Sequence, residues 1–204
     1  MSREAPSAGK KTRVAIYGGA FDPIHNGHLA TIAALLEGGE IDSVVVVPSG
    51  DRPDKSIAVD GATRLEMVRR AIRDAFGTDP RVEVSDLHVA GRVGYSTIDL
   101  IDHFLKSGVE PFVVIGHELL ADLPRWREPE RLKAIARFII IRRPGVKDEQ
   151  IPHGVRGHFL KVPYEAGVAI SSTTLRQMLK EGRSCAGLVP QGVLNLCRER
   201  ALYR

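Results

Sequence analysis

Cysteine is scarce: Cys185 and Cys197 are the only two in 204 residues, and no Cys-x-x-Cys occurs. That rules out a disulfide framework and leaves two reduced thiols, as in a cytosolic protein. No stretch approaches ~18 consecutive apolar residues, so the sequence holds no membrane-spanning helix. Aromatic residues make up 5% of the chain and never interleave with a run of basic ones, which argues against a nucleic-acid groove. The opening Met1–Thr12 carries Lys10 and Lys11 but no apolar centre, so a disordered tail is expected rather than a signal peptide. The expectation is a cytoplasmic protein with neither a membrane nor a nucleic-acid partner.

What is present is ordinary for a soluble globular protein. Apolar residues reach 43%, charged residues 26%, and the formal net charge is +4. That mild excess fits anionic small molecules such as nucleotides as well as it fits nucleic acid. The length fits one domain, residues 13–204, with a proper core. The sequence does not fix an oligomeric state, and a homo-oligomer is compatible with it. No internal repeat or low-complexity segment is apparent.

Short β-branched runs at Val14–Tyr17, Ser43–Pro48, Arg81–Val84, Phe112–Ile115, Phe138–Ile141 and Gly157–Val162 predict strands. Val44–Val47 and Val113–Ile115 are continuously apolar, as strands covered on both faces should be. Helical patterns lie between them. Leu65, Val68, Ile72 and Ala75 form one stripe, with Arg64, Arg69, Arg70 and Arg73 expected to turn elsewhere. Ile98, Ile101 and Leu105 form another, and Gly108 is a natural stop. Pro144–Pro152 reads as a polar loop. This alternation predicts an α/β fold, a doubly wound parallel sheet with a small C-terminal helical extension at about 171–204. Ligands of such sheets sit beyond the carboxyl ends of the strands, where strand order reverses, so the loops after the first and fourth strands are the places to search.

After the first strand comes Gly18-Gly19-Ala20-Phe21-Asp22-Pro23-Ile24-His25-Asn26-Gly27-His28. The glycines permit a tight turn and close approach to a ligand. His25 and His28 lie three apart at the opening of a helix, whose N–H groups and dipole favour phosphate. The glycine spacing does not match a dinucleotide fingerprint, and no Gly-Lys-Ser/Thr follows. Two plainer accounts stay open on these residues alone: Asp22, His25 and His28 as metal ligands, or two structural histidines. Near the other end stands Ile170-Ser171-Ser172-Thr173-Thr174-Leu175-Arg176. Its hydroxyls suit a helix N-cap, and with Arg176 they form a second anion site.

The His-x-Gly-His segment after Gly-x-Phe-Asp-Pro, together with Ile-Ser-Ser-Thr-x-x-Arg, resembles the nucleotidyltransferases. That family includes the nicotinate and nicotinamide mononucleotide adenylyltransferases, phosphopantetheine adenylyltransferase and the cytidylyltransferases. Leu123-Pro124-Arg125-Trp126, Arg64-Leu65-Glu66-Met67, Gly187-Leu188-Val189-Pro190 and the ending Leu202-Tyr203-Arg204 are similar to the bacterial nicotinate mononucleotide branch. The resemblance implies a Rossmann-like sheet and an enzyme that transfers a nucleoside monophosphate from a triphosphate to a phosphorylated acceptor, releasing pyrophosphate. The acceptor it implies is nicotinate mononucleotide, with ATP as donor, in NAD synthesis.

On this resemblance His25, His28, Lys55 and Arg176 are the catalytic set. Gly18, Gly19, Phe21, Gly27, Gly116, Glu118, Ser171, Ser172 and Thr173 bind nucleotide, while Asp22, Tyr95, Ser96, Thr97 and Trp126 serve the acceptor. No protein ligand to a metal is expected; the cofactor is Mg²⁺, bound mainly through nucleotide phosphates. The residues alone leave Trp126 as a half-buried core side chain and Lys55 and Arg64 as surface cations. His88, His103, His153 and His158 receive no role. Three segments depart from the branch: Arg52-Pro53-Asp54-Lys55 for Pro-Pro-His-Lys, Gly116-His117-Glu118 for Gly-Ala-Asp, and Tyr95-Ser96-Thr97-Ile98-Asp99-Leu100 for Ser-Tyr-Thr-x-Asp-Thr. They leave a CTP-dependent relative acting on a small phosphate or phosphonate as one alternative. A nucleotide-binding sensor without turnover is another.

Overall fold

The computed structural model describes residues 11–51, 57–142, 150–160 and 170–204. Lys55 and most of the 144–152 stretch lie outside them. Within the described residues, β1 (Arg13–Gly19), β2 (Ser43–Pro48), β3 (Val82–Val84), β4 (Glu110–Gly116), β5 (Arg137–Ile141) and β6 (Gly157–Leu160) form one sheet. The order is β3-β2-β1-β4-β5-β6, with every neighbouring pair parallel. From β1 the chain winds outward to β3; it then returns to β4, beside β1, and winds the other way. The reversal between β1 and β4 is the switch point of a Rossmann-like fold. Strand positions follow the expected ones to within two residues; the last reaches Leu160, and 161 and 162 lie outside the described residues.

Because strand side chains alternate, the continuously apolar runs feed two cores. Ala15, Tyr17, Val44, Val46, Phe112 and Val114 face one side, where they pack with α1 (Asn26–Glu37), α2 (Gly61–Phe76), α5 (Ser172–Lys180) and α6 (Gln191–Glu199). Val14, Ile16, Val45 and Val47 face the other, as do Val113, Ile115, Phe138 and Ile140. That side is covered by α3 (Thr97–Lys106), a 3-10 stretch at His117–Arg125 and α4 (Pro129–Ile135).

The helix ends follow local chemistry. Asp60 caps α2 by accepting the Thr63 N–H, and that bond holds its carboxyl below the usual range. Ser96 and Asp99 form a capping box on α3, and Gly108, just past the end, takes φ +81. Ser171 caps α5, accepting the Thr174 N–H at 3.1 Å. Two positions on α2 correct the expected stripe: Ala75 is exposed, and Arg64 is fully buried at 0% exposure. The Arg64 guanidinium lies inward because carbonyl oxygens of two loops converge there to accept its N–H groups.

α6 and the tail are fastened to α2. The Gly192 N–H donates to Asp74, Arg70 pairs with Glu199, and Arg200 donates to Thr63 Oγ1 at 2.8 Å. No helix among the described residues is long and apolar enough to cross a membrane.

Candidate active site

A cavity of about 1620 Å³ opens at the carboxyl ends of the strands, across the switch point. Its floor is Ile16–Gly19 from β1, with Ala20 just beyond, and Val113–Gly116 from β4, and the two sequence motifs meet on its wall. Here the expectation drawn from strand order and the structure coincide.

The first loop is built around its rings. Phe21 sits at φ 51, a left-handed conformation that non-glycine residues rarely adopt. Its ring is edge-on to Tyr17 at 5.5 Å and to His28 at 5.0 Å. A Cβ on Gly19 would come within 3.0 Å of the Phe21 ring, whereas one on Gly18 would meet only open space.

His25 is the N-cap of α1 and His28 occupies its third position. Their rings stack, with centroids 3.7 Å apart and planes 25° from parallel. The His25 backbone N–H donates to His28 Nδ1 at 3.1 Å. A ring nitrogen that accepts a hydrogen bond carries no proton, so the neutral His28 ring bears its proton on Nε2. Burial lowers the His28 pKa well below the ordinary value, and the neighbouring His25 lowers it further, so the ring is neutral at pH 7. The spacing of the motif now has a physical reason. His25 lies across Gly27, where a Cβ would stand 3.0 Å from its ring, and His28 returns to bond the His25 backbone. The start of α1 is held by the C-terminal segment: the Asn26 side chain donates to the Gly187 carbonyl and its N–H to that of Leu188.

Ser171, Ser172 and Thr173 line the cavity at the start of α5. Ser172 Oγ also donates to the Pro23 carbonyl at 2.9 Å. Arg176 does not line the cavity; it donates to the Asp22 carbonyl at 2.7 Å and to Thr173 Oγ1 at 3.3 Å. Asp22 is likewise behind the wall, 3% exposed, its carboxylate accepting the Tyr203 hydroxyl at 2.5 Å and the Ala58 N–H at 2.9 Å. Phe21 supports the wall from beneath. Lys55 lies outside the described residues.

At the far end the cavity is lined by Tyr95, Ser96 and Thr97 from the start of α3 and by half-buried Trp126, which also packs on the core beneath α3. Ser96 is committed to capping, and Asp99 pairs with Arg127 at 3.1 Å. Tyr95 is 44% exposed, its ring 6.0 Å from that of His88. Glu118 lies against Gly116 and near His117 Nδ1, so a Cβ at Gly116 would collide with its carboxylate.

Several liners were not anticipated. Ser49, His88 and Arg142 stand where β2, β3 and β5 run out, so the carboxyl-end rule, extended beyond the first and fourth strands, would have found them. Arg64, buried behind the wall rather than lining the cavity, is the main addition. It donates to the carbonyls of Val59 at 2.8 Å, Ala20 at 2.6 Å and Gly50 at 3.3 Å, and to Ser49 Oγ at 3.2 Å. It thereby ties the loop after β1 to the loop after β2. Among the described residues no group of three or more His, Cys, Asp or Glu side chains is placed to hold a metal ion.

Known proteins support the same reading. A cytidylyltransferase-like family model matches residues 16–178. A probable nicotinate-nucleotide adenylyltransferase from a Roseiflexus species is 33% identical over 201 residues, covering 94% of this chain and 98% of that one. Another, from Desulfitobacterium hafniense, is 32% identical over 209 residues, covering 94% and 96%. In fold, the chain is similar to Plasmodium falciparum nicotinic acid mononucleotide adenylyltransferase complexed with NaAD, with TM-score 0.82, 24% identity and coverage of 94% and 97%. By its motifs, its switch-point cavity and the family match over most of its length, the chain belongs to the cytidylyltransferase-like family of nucleotidyltransferases.

Proposed function

We propose that this protein transfers AMP from ATP to nicotinate mononucleotide, releasing pyrophosphate, as a step of NAD synthesis. The observation that carries the reading is one cavity at the β1/β4 switch point that joins the His25–His28 pair at the start of α1 to the hydroxyl-rich start of α5. Two helix N-termini facing one space form a site for a polyanion. The sequence relatives carry the nicotinate-nucleotide name, and the far end offers a tryptophan face and the N-terminus of α3, suited to a planar ring bearing an anionic group.

The acceptor phosphate, whose second pKa is near ~6, is already largely ionised at pH 7 and needs no general base. One of its oxygens attacks the α-phosphorus, the new P–O bond forms as the bond to the bridging oxygen breaks, and pyrophosphate leaves with that electron pair. The protein's work is to align two anions and stabilise charge as it moves to the leaving group. Neutral His28, fixed by the His25 N–H, donates through Nε2 to oxygens that gain charge. Ser171 and Thr173 hold the phosphates at the start of α5, and Trp126 supports the acceptor ring. Arg176 and Asp22 act behind the wall, on the loop itself. The triphosphate would carry Mg²⁺ through its own phosphate oxygens, where the ion would offset their charge.

The test mixes purified protein, Mg²⁺ and ATP or CTP with nicotinate mononucleotide, nicotinamide mononucleotide or a small phosphonate, and follows pyrophosphate release. Release with ATP and nicotinate mononucleotide, reduced about 100–1000-fold by His28→Ala, is expected. Release with CTP and a different acceptor, or tight nucleotide binding with no release, would replace this reading with that of a cytidylyltransferase or a sensor.

A further inference from the structure

We propose that Tyr203 is a positioning residue that sets His28 through Asp22 and Phe21.

Asp22 has its carboxylate almost wholly removed from water, and Tyr203 donates its hydroxyl to one oxygen at 2.5 Å. The Ala58 N–H takes the other oxygen, and Arg176 takes the Asp22 carbonyl. Asp22 directly follows Phe21, whose positive φ persists only where the surroundings over-determine it. The Phe21 ring in turn meets the edge of His28 at 5.0 Å. Ser172 fixes the next carbonyl, Pro23. The strained residue is thus followed by two residues anchored from α5 and the C-terminal tail. Of these anchors Tyr203 alone reaches an Asp22 side-chain oxygen from the tail. Burial, and then the bond to Asp22, raise the Tyr203 pKa, so the hydroxyl keeps its proton and remains a donor. Without it, one oxygen of a buried carboxylate has lost its partner and must find another by moving the loop.

The experiment compares wild type with Tyr203→Phe, Asp22→Asn, their double variant and Arg200→Ala. The last loosens the tail at its bond to Thr63 without touching Asp22. The first readout is the His28 imidazole signals in nitrogen-15 NMR of the ligand-free protein. They are expected to shift in Tyr203→Phe and Asp22→Asn but to stay in place in Arg200→Ala. The second readout is steady-state turnover. Tyr203→Phe should lower kcat about tenfold, the lower end of what a hydrogen bond to a charged group contributes, with both KM values within about twofold. The double variant should be no worse than the poorer single one, because both act on the same contact.

His28 signals identical to wild type in Tyr203→Phe, an unchanged kcat, or additive losses in the double variant would overturn the proposal; a lower Tm alone would mark Tyr203 as merely structural. Only the turnover arm rests on the function proposed above. If wild type itself does not turn over nicotinate mononucleotide, that function fails, and the NMR comparison still decides Tyr203.

Discussion

Gly27→Ala separates what the fold needs from what the site needs. A Cβ at position 27 would stand 3.0 Å from Cε1 and Nδ1 of His25. Ordinary carbon contacts lie at about 3.5–4.0 Å, so the ring or the helix start must yield by about half an ångström. Residue 27 lies in the first turn of α1, where alanine is a better helix former than glycine by up to ~1 kcal/mol. The fold therefore gains roughly what the contact takes away, and the unfolding midpoint should stay within a few degrees of wild type. The site does not share that compensation. His25 stacks on His28 at 3.7 Å and donates its backbone N–H to it, so a displaced ring moves the donor proposed to face the triphosphate. A ~1 Å misplacement near the chemistry costs about 100-fold, so half of that should lower kcat about tenfold or more. Scanning calorimetry and pyrophosphate release on the same preparation check both halves. A variant with normal melting and kcat within threefold of wild type would refute the reasoning, as would one that unfolds.

Arg64→Met keeps the apolar bulk of the buried side chain but leaves the Val59, Ala20 and Gly50 carbonyls without its N–H groups. At about 1–3 kcal/mol for each buried group left unsatisfied, with partial relaxation, urea unfolding should show a loss of about 3–5 kcal/mol. A loss under ~1 kcal/mol would mean that water satisfies those carbonyls. The depressed pKa of His28 also fixes a sign for stability against pH. The unfolded chain binds the proton near pH ~6.5 and the folded one only well below, so this contribution to stability is lost as pH falls below about 6.5. Melting temperatures from pH 7.5 to 5 should show that slope, and His28→Gln should flatten it.

Local rules made much of this molecule legible. Continuous apolar runs of three and four residues announced strands covered on both faces, Ser171 stood where a helix begins, and the alternation of elements pointed to the carboxyl ends of the first and fourth strands. Arg64 was not legible. It lies on the same turn as Leu65 and Val68, and nothing in its own segment shows that carbonyls from two other loops would converge on it. Asp22 and Arg176 stood in recognisable motifs, yet the way each side chain turns was set by partners far along the chain. Hydrogen bonds between distant loops leave no periodicity to read. Shape, by contrast, explains the glycines: Gly27 and Gly19 are small because His25 and Phe21 lie on them.

The bond between Tyr203 and Asp22 joins residues 181 positions apart, and the start of α1 leans on carbonyls of Gly187 and Leu188. Domains fold from the N-terminal end as they leave the ribosome, so β1 and α1 emerge long before the residues that brace their connecting loop. A nascent chain that already carries both histidines still lacks the braces that orient them. The geometry of the site is therefore finished only once residues 161 and 181 positions further along the chain have been made.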